Sequence, residues 1–453
     1  MKMLSILICF IGTCFSSCSL LELEPTTSWT AENTPKEESH LYGILYGGYN
    51  TLQSDFLAYG EMRGDAFYNN AFNVNADKVV NNSLDNNIFW ASWYNYYRVI
   101  KQANAVIKFT PQVLEAGGIS AEKADDVMGQ AYCLRAFTYF WIIRIWGDAP
   151  LVTAPYLDSN DSFDLPKAAV ADIVEQIHSD LENASNMIDK NSTSRTTFTQ
   201  TAAYAINAHV YAWEHKYEET INMADKVLTN TNYTLANLYD EKYTGTTDDV
   251  KNKNFKALVQ ASEYAQIFNT GRSKESIFEL ASNVADGDDQ KNLTTYLAGS
   301  WPILRPRPRF GKAIDAEGST WRSAAIQEVA GSKYKVTKFT IGFDYTADSR
   351  NIVMLRLADI ILLKAEAIAN QEDTDENRKA TMKLVNQIRK RAGGSDYEIP
   401  EEQFLNREEY DQEGIKEIVL NERKYELAYE GHRWFDLIRT GKVFEAVKNR
   451  GND

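Results

Sequence analysis

Apolar residues recur three and four positions apart through most of this chain, the period of an amphipathic helix. Ala202 to His215 (AAYAINAHVYAWEH) and Tyr217 to Leu228 (YEETINMADKVL) are separated by a very short turn. Small residues at Ala208, Thr220 and Ala224 let two such helices approach closely, the spacing of a tetratricopeptide helix-turn-helix unit. Arg356 to Ala369 followed by Glu376 to Arg391 has the same character with a longer acidic connection, and Trp93 to Phe109 and Ala121 to Trp146 predict two further helices. Such pairs bury their apolar faces only by stacking on one another. Gly117-Gly118 and Gly393-Gly394 read as helix-ending turns.

The helical period is lost in two stretches. Residues 65–88 and 231–350 are rich in Asn, Thr, Asp, Gly and Pro, with Phe67, Tyr68, Phe72, Tyr296, Trp301, Phe310 and Trp321 scattered through them. Long irregular segments in a compact protein are uncommon and usually carry function. The expected fold is mostly α, with tetratricopeptide-like helix pairs forming a right-handed scaffold that backs a loop-rich binding lobe.

The first residues form a separate unit. Lys2 precedes an apolar run through Leu4, Ile6, Leu7, Ile8, Phe10 and Ile11, which ends in Phe15-Ser16-Ser17-Cys18. That is the layout of a bacterial export signal over residues 1–17, with Cys18 placed for lipidation directly after the cut. Cys14 is the alternative, preceded by the poorer Thr13. Residues 18–40 then form a lipid anchor and tether rich in Glu, Thr and Pro. No later window approaches the ~18 consecutive apolar residues of a spanning helix.

Charge and composition narrow the chemistry. Against 63 acidic residues stand 48 basic ones, a net charge of -15, which argues against nucleic acid and anionic membrane surfaces as partners. The four cysteines, at positions 9, 14, 18 and 133, leave the mature body only Cys133 beyond the anchor and thus no internal disulfide. The five histidines include no pair at i, i+4 for zinc. Asp286-Gly287-Asp288-Asp289 offers oxygen ligands for calcium but lacks the spacing of a full calcium loop. Phosphate-cradling glycine loops and a G-x-S-x-G elbow are absent, so the remaining catalytic repertoire is a pair of carboxylates.

Several segments, taken in order, resemble the SusD/RagB family. They are the lipidated cysteine, Asn104-Ala105-Val106-Ile107, Leu134-Arg135-Ala136-Phe137 running to Trp146-Gly147-Asp148-Ala149-Pro150-Leu151, Lys274 to Glu279 (KESIFE), Leu355 to Ile360 (LRLADI), Asn386 to Gly393 (NQIRKRAG) and, most distinctive, Glu422 to Arg439 (ERKYELAYEGHRWFDLIR). The resemblance spans nearly the whole chain and implies two halves, 41–230 and 231–453. It also implies a lipoprotein of the outer membrane, facing the cell exterior, that binds an oligosaccharide without chemistry and hands it to a SusC-like TonB-dependent transporter. No cofactor or metal is implied. A peptide-binding member of the same family and a secreted helical glycosidase are the alternatives. This chain departs from the family in stopping soon after Phe444 and Val447, where many relatives carry an Asn- and Pro-rich tail, and in its compact loop region.

Sugars present flat C–H faces ringed by hydroxyls, so their sites need aromatic platforms with a few polar groups. Tyr68, Phe72, Tyr296 and Trp301 are the candidate platforms, with Asn69, Asn70 and Arg305 as hydrogen-bonding groups. In the C-terminal motif, Glu422 and Glu426 share a helix face. Gly431 is placed to end the helix in a left-handed turn, and Arg433, Asp436 and Arg439 return where they can pair with those carboxylates. Adjacent arginines would hold both carboxylates ionised, so this pair reads as an ion-pair lattice, not as an acid and a base.

Overall fold

A computed structural model describes residues 34–52, 57–155, 164–243, 253–282, 296–297, 301–339 and 350–448. Cys18, Cys14 and the acidic cluster at 286–289 lie outside them. Helices dominate, chief among them α1 (Glu38–Thr51), α2 (Tyr94–Glu115), α3 (Ala121–Trp146), α4 (Val170–Met187), α5 (Gln200–Trp213) and α6 (Tyr217–Leu228). Beyond the irregular region come α7 (Pro308–Ala316), α8 (Leu357–Ala369), α9 (Asp375–Gly393), α10 (Gln412–Glu426), α11 (Arg433–Arg439) and α12 (Val443–Val447). Side-chain caps start several of them: Ser120 accepts from Lys123 N–H, Thr199 from Ala202 N–H and Thr374 from Asn377 N–H.

The helices stack nearly in chain order, α1 on α2, then α3, α4, α5 and α6, after which α6 packs on α8 and α8 on α9 and α10. Small residues make the close approaches: Ala208 and Ala212 of α5 bury against Leu363 of α8. The scaffold is therefore the expected tetratricopeptide-like stack. Helix α4, which no sequence motif announced, is locked in by charge. Arg135 donates to Asp180 through Nε (2.8 Å) and Nη2 (2.7 Å), while its Nη1 reaches Asn104 Oδ1 at 2.7 Å. One buried guanidinium thus ties α2, α3 and α4 together.

Three short antiparallel ladders order the described part of the irregular stretches. β1 (Phe67–Asn69) pairs with β3 (Leu304–Pro306), β2 (Ser276–Leu280) with β6 (Ile352–Arg356), and β4 (Gln327–Ala330) with β5 (Lys333–Val336). Gly331, at φ +67°, turns the β4–β5 hairpin, a position where a side chain would strain the backbone. The scattered aromatics divide accordingly. Phe67, Phe310 and Trp321 are buried core residues, whereas Phe72 and Trp301 stand in solvent.

The C-terminal motif is an ion lattice, with partners other than those expected. Glu422 pairs with Arg322 and Arg389, and Glu426 with Arg356 and Arg391. Arg356 also holds Glu275 (2.7 Å) and Glu430 (2.6 Å). Asp436 instead takes Arg423 (2.9 Å) and Arg439 (2.7 Å), and Arg433 leaves the motif to grip Asp65 (2.9 Å). The reason is helical phase. Glu422 and Glu426 lie one turn apart on one face of α10, while Arg423, about 100° round the axis, faces α8 and α11. Gly431 does adopt a left-handed φ of +84°, in the turn that follows α10.

Candidate functional site

The β1–β3 ladder brings together residues more than 230 positions apart in the chain. Tyr68 sits opposite Arg305 and Asn69 opposite Leu304. The pairing continues past the strands, since Asn70 N–H donates to Ile303 O (2.7 Å) and its side-chain amide to Pro302 O (3.0 Å). The strands' far ends then carry Phe72, 96% exposed, and Trp301, 80% exposed. Phe72 also holds a left-handed backbone (φ +55°), uncommon for a residue with a side chain and a conformation that collects at functional sites.

The proposed polar groups are mostly committed to building this edge. Asn69 donates to Asn73 O (2.9 Å) and accepts from Ala71 and Asn73 N–H, closing the turn that follows β1. The Asn70 side-chain oxygen Oδ1 accepts from Lys333 Nζ (3.0 Å). Arg305 is buried and donates to Tyr334 O (3.2 Å), tying β3 to β5. Tyr68 is half-buried, and burial raises its phenol above the usual value. Of the residues anticipated in sequence, the ladder therefore gathers Tyr68, Asn69, Asn70, Phe72, Trp301 and Arg305. Phe72 and Trp301 are the ones it leaves most open to a ligand.

Tyr296 belongs to a neighbouring aromatic group. Its ring lies 5.6 Å from that of Trp90, and burial raises its phenol also. The Trp90 carbonyl accepts from Tyr59, whose ring meets Trp146, and Trp146 in turn meets Trp93 at 6.1 Å. Trp93, Tyr94 and Tyr97 then line a mostly apolar groove of about 520 Å³ between the start of α2 and the Pro150–Pro155 segment. Tyr94 is 66% exposed there, and Tyr97 O–H donates to Pro150 O (2.7 Å). The periodicity predicts a helix over Trp93 to Phe109, and the rings at the start of that helix stand partly outside the stack. The available signal was density: Trp90, Trp93, Tyr94, Tyr96 and Tyr97 fall within eight residues, more aromatic mass than one helix face can bury.

The carboxylate pair of the C-terminal motif offers no hydrolytic centre. Glu422 and Glu426 are both buried, and although burial opposes ionisation of Glu426, the guanidiniums of Arg391, Arg356 and Arg322 hold it well below the usual carboxylate range. Such a group keeps no proton to give at neutral pH. Among the described residues no cluster of His, Cys, Asp and Glu has the makings of a metal site, and no helix is long and apolar enough to cross a membrane.

Comparison with known proteins agrees with this architecture. The sequence profile of the SusD family matches residues 313–452, and a second SusD-like profile, described as starch-binding associating with outer membrane, matches residues 37–212. A SusD-like protein of Formosa agariphila is 26% identical over 483 residues, covering 96% of this chain and 90% of its own. Among solved structures, a SusD superfamily protein from Bacteroides vulgatus superposes with a TM-score of 0.73 at 22% identity, covering 92% of this chain and 90% of its own. A laminarin-binding SusD-like protein superposes with a TM-score of 0.68 at 20% identity, over 92% and 94% of the two chains. Helical stack, ordered motifs and profile matches at both ends converge: the chain belongs to the SusD family.

Proposed function

We propose that this protein captures an oligosaccharide at the cell surface and delivers it to a partner TonB-dependent outer-membrane transporter, held to the membrane by a lipid on Cys18. The observation that carries the reading is the pair of solvent-exposed rings, Phe72 and Trp301, fixed at one end of a ladder whose backbone and amide groups are otherwise satisfied. Large apolar rings held in water lose free energy unless a ligand covers them. A sugar's C–H face is such a cover, and the groove at Trp93 and Tyr94 offers a second aromatic surface. The laminarin-binding structural relative supports carbohydrate as the ligand class. The buried, arginine-held carboxylates support binding without hydrolysis.

Calorimetric titration with a panel of neutral oligosaccharides and short peptides, with chromatography of the products, tests this. The expected result is binding of at least one glycan that is recovered intact. Binding of peptides alone, or cleavage of a bound glycan, would overturn the reading.

A further inference from the structure

Opposite the exposed rings, the other end of the β1–β3 ladder is lined largely by cationic side chains. Arg307 N–H donates to Ala66 O at 2.8 Å, so Asp65 and Arg307 leave that end together. Asp65 precedes β1 and Phe72 follows it, while Arg307 follows β3 and Trp301 precedes it, so the two pairs flank opposite ends of the ladder.

A cavity of about 290 Å³ lies there among α7, α10, α11 and α12. Its walls carry five cations against three carboxylates, in a chain whose net charge is -15. The carboxylates are already engaged. Asp65 accepts from Arg433 Nε (2.9 Å) and Nη2 (3.0 Å), while Glu417 and Glu445 lie 3.4 and 3.8 Å from Lys442. Neither Lys424 nor Arg309 has a carboxylate within 4.0 Å among the described residues. Lys424 is half-buried with its ammonium 4.9 Å from the centre of the Phe310 ring, and burial pushes it down to about 8. Arg433, itself buried, keeps its Nη1 without a hydrogen-bond partner among the described residues. Lys424 is thus held partly out of water without a carboxylate beside it, and Arg433, paired with Asp65, keeps one N–H unmatched, an arrangement that a bound oxyanion would complete.

We propose that this cavity holds the oxyanion of an acidic sugar unit, a carboxylate or a sulfate ester, an inference that rests on the glycan reading above. The cavity lies at the small end of ligand pockets, large enough for one ring and no more. A guanidinium fork and a lysine point charge together suit a planar or tetrahedral oxyanion.

Titration of the full chain carrying Cys18→Ala, at low ionic strength, with glucuronate, glucose 6-sulfate, glucose and inorganic sulfate tests the proposal. One or both acidic sugars should bind, and which of them binds names the group. Lys424→Met and Arg309→Met, which leave the Asp65–Arg433 pair intact, should each weaken that binding about tenfold or more. Melting temperatures should stay at the parent value. Trp301→Ala should leave it unchanged, which separates this site from the aromatic one: if neutral glycans fail to bind while glucuronate still does, the platform reading falls and this one stands. Equal binding of glucose, equal binding of inorganic sulfate, no binding of either acidic sugar, or binding indifferent to both substitutions would overturn the proposal.

Discussion

At the scale of single residues, the protein rests on buried charges that are individually expensive and collectively satisfied. Arg356 faces Glu275, Glu426 and Glu430 within 3 Å, all fully buried. Arg356→Met would leave Glu275, Glu426 and Glu430 sharing only Arg391, Arg322 and Lys338, one buried cation short, at a cost of about 3–5 kcal/mol. Urea denaturation reads this directly, and a loss below about 1 kcal/mol would mean that the lattice behaves like surface ion pairs. The lattice also sets the response to acid. Burial by itself would raise Glu426, Asp436 and Asp359, but their arginine and histidine neighbours outweigh it and hold all three below the ordinary range. The folded state therefore binds fewer protons than the unfolded chain near pH 4. Their contribution is complete above about pH 5 and is lost as pH falls through and below about 4. Melting temperature measured from pH 7 to pH 3 should fall steeply over the last two units, and a flat profile would contradict these pairings.

At the scale of elements, what was legible in the sequence follows from how local each signal is. Helix α3 spans Ala121–Trp146, the stretch its periodicity predicts, and α5 and α6 match their predicted pair closely. Helical period is a property of neighbouring residues. The β1–β3 ladder was not legible, because three-residue strands show no measurable alternation and their partners lie on opposite sides of the helical stack in sequence. Phe67 and Phe310, read as loop aromatics, are buried against Tyr429 for the same reason. Of the candidate platforms, which loop composition alone singles out, Phe72 and Trp301 stand in solvent, whereas Tyr68 is half-buried and Tyr296 packs on Trp90. Likewise, the lattice was foreseen in kind but not in pairing, since partners such as Arg322 and Asp65 are set by tertiary packing. One close approach tests the element packing. A methyl group at Gly60 would sit 1.9 Å from the Gly431 carbonyl oxygen, where backbone meets backbone. Gly60→Ala should cost about 1–3 kcal/mol or more, seen as a lowered melting temperature. A parent-like melt would show that the two segments do not meet.

At the scale of the whole molecule, a helical stack bound together by buried ion pairs presents two surfaces at the ends of one short ladder, aromatic at one and cationic at the other. On the anchored reading, Cys18→Ala should move the protein from the membrane fraction to the soluble fraction with its melt unchanged, because the substitution removes a lipid attachment point and touches no element of the described helical stack. Fatty-acid labelling that survives the substitution would place the lipid elsewhere. The central claim is that the exposed rings exist to bind sugar. Truncating a buried aromatic costs ~3–5 kcal/mol of stability, whereas truncating an exposed one leaves stability nearly untouched. The decisive measurement is calorimetric titration of Trp301→Ala and Phe72→Ala with the glycan the parent binds, alongside thermal melts. The account predicts parent-like melting with affinity reduced about tenfold or more in each variant; parent-like melting with parent-like affinity in both would place the binding site elsewhere.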